Sequence, residues 1–255
     1  MPYHRRAYHL PAGGREIILA ITRKDLKTTQ HTTPAIILAG GFGTRLSTVV
    51  KDVPKPMAPV NGKPFLHYLF KELHHQGIRD VVLSVGHLKE VIQDYFQDSY
   101  LNMDIQYAIE QEPLGTGGGI KHALKLVDED AYILNGDTFF DIELSRLKNS
   151  TSDITIALKP MFRFDRYGTV ELNEANRVIA FNEKKPCEHG LINGGIYYFR
   201  KSLFDRIGTG KKFSFEKDIL EKHLNDLTIQ GIAFDNYFID IGIPEDYAKA
   251  QKDFH

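Results

Sequence analysis

The sequence predicts a three-layer α/β/α fold around a mixed, mostly parallel sheet. Two observations predict it. From Pro34 onward, short apolar runs alternate with segments of helical spacing, which is the grammar of strands joined by crossover helices. Beyond Asp141 the helical spacers give way to turns between strand-like runs, so the second half extends the sheet with an antiparallel part.

The elements follow in order. Ala35-Ile-Ile-Leu-Ala39 reads as a buried strand and leads into a glycine-rich loop, Gly40 to Gly43. Pro64 to Leu73 has helical spacing and stops at Gly77; Asp80 to Val85 is the next strand and Leu88 to Phe96 the next helix. Asp104 to Ile109 reads as a strand, Gly118 to Val127 as a helix, and Ala131 to Leu134 as a buried strand ending in Asn135-Gly-Asp137. In the second half, Ile154 to Leu158, Gly168 to Leu172, Val178 to Phe181 and Gly195 to Phe199 are strands, with a hairpin connection at Asn173 to Asn176. Helices resume at Phe213 to Leu224 and at Pro244 to Phe254, the latter opened by a first-turn proline and by Glu245 and Asp246.

Residues 1–33 differ from the rest. Arg5, Arg6, Arg15, Arg23, Lys24 and Lys27 outnumber Glu16 and Asp25, no amphipathic period is evident, and the apolar piece Ile17 to Ile21 is too short for a secretory core. The reading is an extension outside the fold, with residues 34–255 as a single domain. The chain has 255 residues, 42% hydrophobic and 25% charged, with a formal net charge of -1. That balance gives no general attraction to nucleic acid or to a membrane surface. One cysteine, Cys187, permits no internal disulfide, and no zinc spacing is present. No apolar run approaches the roughly 18 residues of a membrane span. The expected setting is the cytoplasm; self-association, a homo-oligomer included, is left open.

Ligands of open parallel sheets gather beyond the C-terminal strand ends, so three polar stations carry the functional expectation. The first is the loop Leu38-Ala-Gly-Gly-Phe-Gly-Thr-Arg45, which with Lys55 makes an anion cradle suited to a nucleoside triphosphate: Leu38, Ala39, Gly40, Gly41, Gly43 and Thr44 supply backbone, and Arg45 and Lys55 supply charge. It is neither a P-loop, which needs Gly-Lys-Ser/Thr, nor a dinucleotide fingerprint, whose third glycine is replaced by Leu46. The other stations are Asp137 and Asp240, each following an apolar strand, and together they suit a Mg²⁺ ion that keeps positions for water and phosphate oxygens. A further glycine-rich stretch, Glu110 to Gly119, offers a surface against which a base could lie. No Ser-His-Asp arrangement is evident.

These motifs, in this order, resemble the nucleotide-sugar pyrophosphorylases, enzymes that join a sugar 1-phosphate to a nucleoside triphosphate, and the resemblance runs from Pro34 almost to His255. It implies a Rossmann-like nucleotidyltransferase fold. It also places Gly115 and Thr116, within Leu114-Gly-Thr-Gly117, at the base and makes Asp137 and Asp240 metal ligands. Tyr167, Gly168, Glu183, Lys184, Asn193 and Gly195 then hold the sugar phosphate. Within that family the sequence looks most like the bacterial branch that guanylylates D-glycero-α-D-manno-heptose 1-phosphate, through Val50 to Val60, Leu134 to Asp141, Phe164 to Val170 and Phe238 to Tyr247. The branch implies GTP as partner substrate and a GDP-heptose product destined for cell-surface polysaccharide. Alternatives are mannose 1-phosphate or another hexose 1-phosphate as acceptor, and a non-catalytic sugar-nucleotide sensor. Two departures from the wider family stand out: Ser47 and Thr48 where a proline is usual after Thr-Arg-Leu, and Gly117 where alanine is common. Guanine presents N–H donors, so Glu110 is the expected base reader, with Glu112 and the backbone near Gly115 in reserve. Catalytic roles fall to Arg45 at the leaving pyrophosphate, Lys55 at phosphate near the reacting centre, and Asp137 at the metal.

Overall fold

The computed structural model describes residues 33–41 and 53–254. Strands in chain order are β1 Ala35–Leu38, β2 Pro59–Val60, β3 Lys63–Pro64, β4 Asp80–Val85, β5 Ser99–Tyr100, β6 Met103–Ile109, β7 Ala131–Asn135, β8 Thr138–Phe140, β9 Ile154–Phe164, β10 Thr169–Leu172, β11 Val178–Phe181, β12 Cys187–Phe199, β13 Ile229–Ala233 and β14 Phe238–Asp240. The α-helices are α1 Phe65–His75, α2 Lys89–Phe96, α3 Gly115–Ala123, α4 Leu203–Arg206 and α5 Pro244–Asp253.

Ten strands form one sheet, ordered β11-β10-β12-β7-β1-β4-β6-β5, with β9 joined to β12 and β13 joined to β9. The segment β7-β1-β4-β6 is parallel, as the alternating first half predicts. These strands are buried on both faces, Ala35 to Ile37 and Val81 to Leu83 being at most 1% exposed, which explains why they read as unbroken apolar runs. Antiparallel β12 ends the parallel run beside β7, and β10, β11 and β9 continue the antiparallel part. Two apolar clusters lie on opposite faces: Phe65, Phe70, Leu73 and Phe96 belong to one, and Ile120, Phe199, Phe213 and Phe215 to the other. Three layers result.

Local chemistry sets the boundaries. Pro64 caps α1, and Gly77, at φ 83°, turns the chain out of it. The Asn173 to Asn176 hairpin forms as read: Asn173 Oδ1 accepts from the amides of Ala175 and Arg177 at 3.0 and 2.9 Å, and Asn176 takes φ 58°.

The structure corrects four expectations. The glycines 117–119 belong to α3, which starts at Gly115 rather than Gly118. They are needed for contact: a Cβ on Gly117 would stand 2.3 Å from the Phe213 ring, and one on Gly119 2.9 Å from Glu110 Oε1. The helix expected over residues 213–224 is a single π-helical turn, Glu216–Glu221, because the Phe213 carbonyl is already committed to the amides of Gly117 and Gly118. Strands β9 and β12 run well past the apolar segments that announced them. Finally, β13 had no counterpart in the sequence reading; its Gln230-Gly231 interrupts the apolar alternation.

Candidate functional site

The site begins with a short antiparallel ribbon. Strands β8 and β14 pair with Asp240 opposite Thr138, which brings Asp240 beside Asp137, the residue preceding β8. The turn entering β8 is tied to the start of the glycine loop by the Gly136 amide, which donates to the Leu38 carbonyl at 3.0 Å. A Cβ on Gly136 would lie 2.6 Å from that oxygen, so the approach requires glycine. The two strand-end aspartates singled out from the sequence therefore share one locus.

Between them lies Lys55. Its Nζ is 2.5 Å from Asp137 Oδ2 and 3.5 Å from Asp240 Oδ1, and the lysine side chain is only 10% exposed. Asp240 Oδ1 also accepts from the Gly242 amide at 2.7 Å, and Thr138 Oγ1 donates to Asp137 Oδ1 at 3.2 Å. Burial, reinforced by the neighbouring Asp137 charge, raises the Asp240 carboxyl above its ordinary value despite Lys55. One ammonium thus serves two crowded carboxylates, which are hard oxygen donors of the kind a divalent cation takes. Among the described residues no cluster of three or more His, Cys, Asp and Glu gathers, so water and phosphate oxygens would complete any coordination sphere.

Next to this cluster opens a cavity of about 400 Å³, whose wall includes Asn135, Arg166, Tyr167, Lys184, Asn193 and Asp240. A second, of about 360 Å³, shares Tyr167, Lys184, Asn193 and Glu216 with it and adds Gly168 and Glu183. Gly195 lines the first cavity, so all six positions expected at the sugar phosphate border one cavity or the other. A β-bulge creates part of this wall. Opposite β9 the register of β12 shifts between Asn193 and Tyr197, Gly195 takes φ 73°, and Asn193 Oδ1 accepts from the Gly195 amide at 3.0 Å. Asn193 Nδ2 then donates to the Tyr197 hydroxyl at 2.9 Å. Tyr167 packs edge-on to Phe238, and its hydroxyl is pushed up to about 12, first by burial and then by Asp240, so it remains a neutral hydrogen-bonding group.

At the base-reading station the structure gives Glu110 internal partners. Its Oε1 accepts from Ser84 Oγ and its Oε2 from the Leu114 amide, both at 3.0 Å. Glu112 pairs with Lys211 on the surface, which holds its carboxyl below the usual range. Leu38, Ala39, Gly40 and Gly41 lie at the end of β1, whereas Gly43, Thr44 and Arg45 lie outside the described residues. Gly115 and Thr116 form the exposed first turn of α3.

Three further residues at the cavities were given no role of their own from sequence, although Arg166 lies within the Phe164 to Val170 stretch quoted for the resemblance. Arg166 makes an ion pair with Asp246 at 3.0 Å, and both border the first cavity. Glu216 lines both cavities. Asp246 had been noticed only for its place in the first turn of a helix, and no local pattern marks a residue whose partner is 80 positions away.

The model of the nucleotidyl transferase family matches residues 34–255, so the chain belongs to that family. Among its relatives is the D-glycero-alpha-D-manno-heptose 1-phosphate guanylyltransferase of Campylobacter jejuni, 55% identical over 84% of this chain and 96% of the relative. The enzyme of the same description from Aneurinibacillus thermoaerophilus is 51% identical over 86% of this chain and 97% of its own. The crystal structure of HddC from Yersinia pseudotuberculosis complexed with GMP-PN superposes with a TM-score of 0.78 at 36% identity, covering 88% of this chain and all of that one.

Proposed function

We propose that the protein transfers a guanylyl group from GTP to D-glycero-α-D-manno-heptose 1-phosphate, giving GDP-heptose and pyrophosphate. The observation that carries the substrate assignment is the 55% identity along 96% of the Campylobacter jejuni enzyme. The chemistry rests on the Lys55, Asp137 and Asp240 cluster, whose Asp240 borders a cavity of about 400 Å³.

In this reading an oxygen of the sugar 1-phosphate attacks the α-phosphorus of GTP, and pyrophosphate departs in line. A phosphate monoester is largely ionised at neutral pH, so the nucleophile needs no general base. Catalysis then comes from positioning and from neutralising charge on the transferring group. Lys184 holds the sugar phosphate, Tyr167 and Asn193 orient the ring, and Lys55 meets phosphate oxygens once it leaves the carboxylates. Asp137 and Asp240 would hold Mg²⁺, which would supply charge neutralisation for the transferring phosphate. Arg45 is assigned to the leaving pyrophosphate, and Gly40, Gly41, Gly43 and Thr44 to the triphosphate backbone cradle. Glu110 is assigned to the guanine through the lone pairs that Ser84 and the Leu114 amide leave unused, with Gly115 and Thr116 beneath the base.

The deciding experiment is a matrix of nucleoside triphosphates against sugar 1-phosphates, read by pyrophosphate release with Mg²⁺ and with the ion chelated. GTP with the heptose phosphate should give the highest kcat/KM, and only with the metal present. A higher value with mannose 1-phosphate would reassign the acceptor, and equal use of GTP, UTP and dTTP would remove the guanine reading.

A further inference from the structure

Glu216 stands where the two cavities meet, together with Tyr167, Lys184 and Asn193. Its carboxylate is fixed from one side only. Oε2 accepts from Thr116 Oγ1 at 2.8 Å and from Ser214 Oγ at 2.9 Å, while Thr116 Oγ1 is itself oriented by the Phe215 amide at 2.9 Å. Among the described residues no hydrogen bond to Oε1 and no ion pair to Glu216 is formed. A carboxylate without a cation is out of place beside a site for phosphate anions, unless its free oxygen faces neutral donors. Sugar hydroxyls are such donors, and a carboxylate oxygen suits two of them on adjacent carbons.

The order of the chambers says which hydroxyls. Asp240, which shares Lys55 with Asp137, borders the first cavity and not the second, so the anomeric end of the sugar lies there. The far end then passes Glu216 toward the second cavity, whose wall adds Val170, Phe181 and Leu220 to the acidic side chains. A hexose ends in one hydroxyl at this point, whereas a heptose ends in the adjacent pair on C6 and C7.

We propose that Glu216 is the residue that selects the seven-carbon sugar, its Oε1 accepting from the C6–C7 hydroxyl pair as that end enters the second cavity. The inference rests on the heptose reading above and adds the group responsible for it. The test compares kcat/KM for the heptose 1-phosphate and for mannose 1-phosphate, at saturating GTP, in the full chain and in Glu216→Gln and Glu216→Ala. The glutamine variant keeps an oxygen for Thr116 and Ser214, so it carries the test if the alanine variant does not fold. The heptose-to-mannose ratio should fall by about 10–100-fold, the value of a hydrogen bond to a charged group. Equal losses on both sugars, leaving the ratio intact, would make Glu216 a structural residue and overturn the assignment. So would a variant with the parent's ratio and rate. If the unsubstituted chain itself prefers mannose 1-phosphate, the acceptor reading fails first, a result visible before any variant is measured.

Discussion

Lys55 shows how one residue's role changes between sequence and structure. As a motif it is a cation for phosphate; in the fold it is nine-tenths buried and bonded to Asp137. Exposed ion pairs contribute about 0–1 kcal/mol, whereas breaking a buried one costs about 3–5 kcal/mol. With its partners 32% and 24% exposed, Lys55→Ala should fall between these limits and lower Tm as well as turnover. Adding Asp240→Asn should recover part of the lost Tm, because it removes one of the two facing charges. An unchanged Tm in Lys55→Ala would show that the pair is not held in solution. Asp137→Asn and Asp240→Asn should each keep the fold and cut kcat by at least the roughly 10²–10³-fold that follows loss of one electrostatic stabiliser. Near-parental Mg²⁺-dependent rates in a folded variant would exclude that aspartate from the centre. Alone, each aspartate reads as a helix or turn cap; its place at a strand end together with the glycine loop singles it out, and the structure brings both to Lys55. Arg166 and Glu216 were not legible in this way, since each gains its meaning from a neighbour remote in sequence: Asp246 for one, Thr116 for the other.

At the scale of elements, buried parallel strands declared themselves and long half-wet antiparallel ones did so only in part. Asp80–Val85 was bounded as read and β1 to within one residue, and the short antiparallel β11 was bounded as read too. The arm of β12 from Cys187 to Gly194 has mostly polar or partly exposed residues, so its pairing with β9 is written in cross-strand hydrogen bonds rather than in apolar alternation. Glycine misled in the opposite sense. Gly115 to Gly117 were placed ahead of the helix, yet they are helical, and only a helix start without side chains can lie this close to Phe213. Gly117→Ala gains helix propensity but overpacks a buried ring, a change that typically costs about 1–3 kcal/mol. At about 2–4 °C per kcal/mol for a chain of this size, Tm should drop measurably, and KM for GTP should rise as the first turn of α3 shifts. Gly208→Ala, where a Cβ would meet nothing within 4 Å, is the matched control. A stabilised Gly117→Ala would refute the packing argument.

For the whole molecule, the sequence distinguished a basic, patternless start from a patterned remainder, and the family match begins at residue 34. Thr33 is nevertheless buried, and the Pro34 carbonyl accepts from the Tyr132 amide at 2.9 Å. A chain beginning at Thr33 should therefore retain kcat/KM for GTP within a few-fold, and an insoluble or inactive product would assign the leading segment to the fold. The ribbon of β8 and β14 has a consequence in time. It joins residues about a hundred positions apart, so one half of the carboxylate pair is synthesised about a hundred residues after the other. Pairings this distant form late, after the entropy of closing the intervening loop has been met. A nascent chain emerging from the ribosome would carry the glycine loop, Lys55 and Asp137 long before it carried Asp240. The order of synthesis thus leaves the carboxylate pair incomplete until β14 has paired with β8.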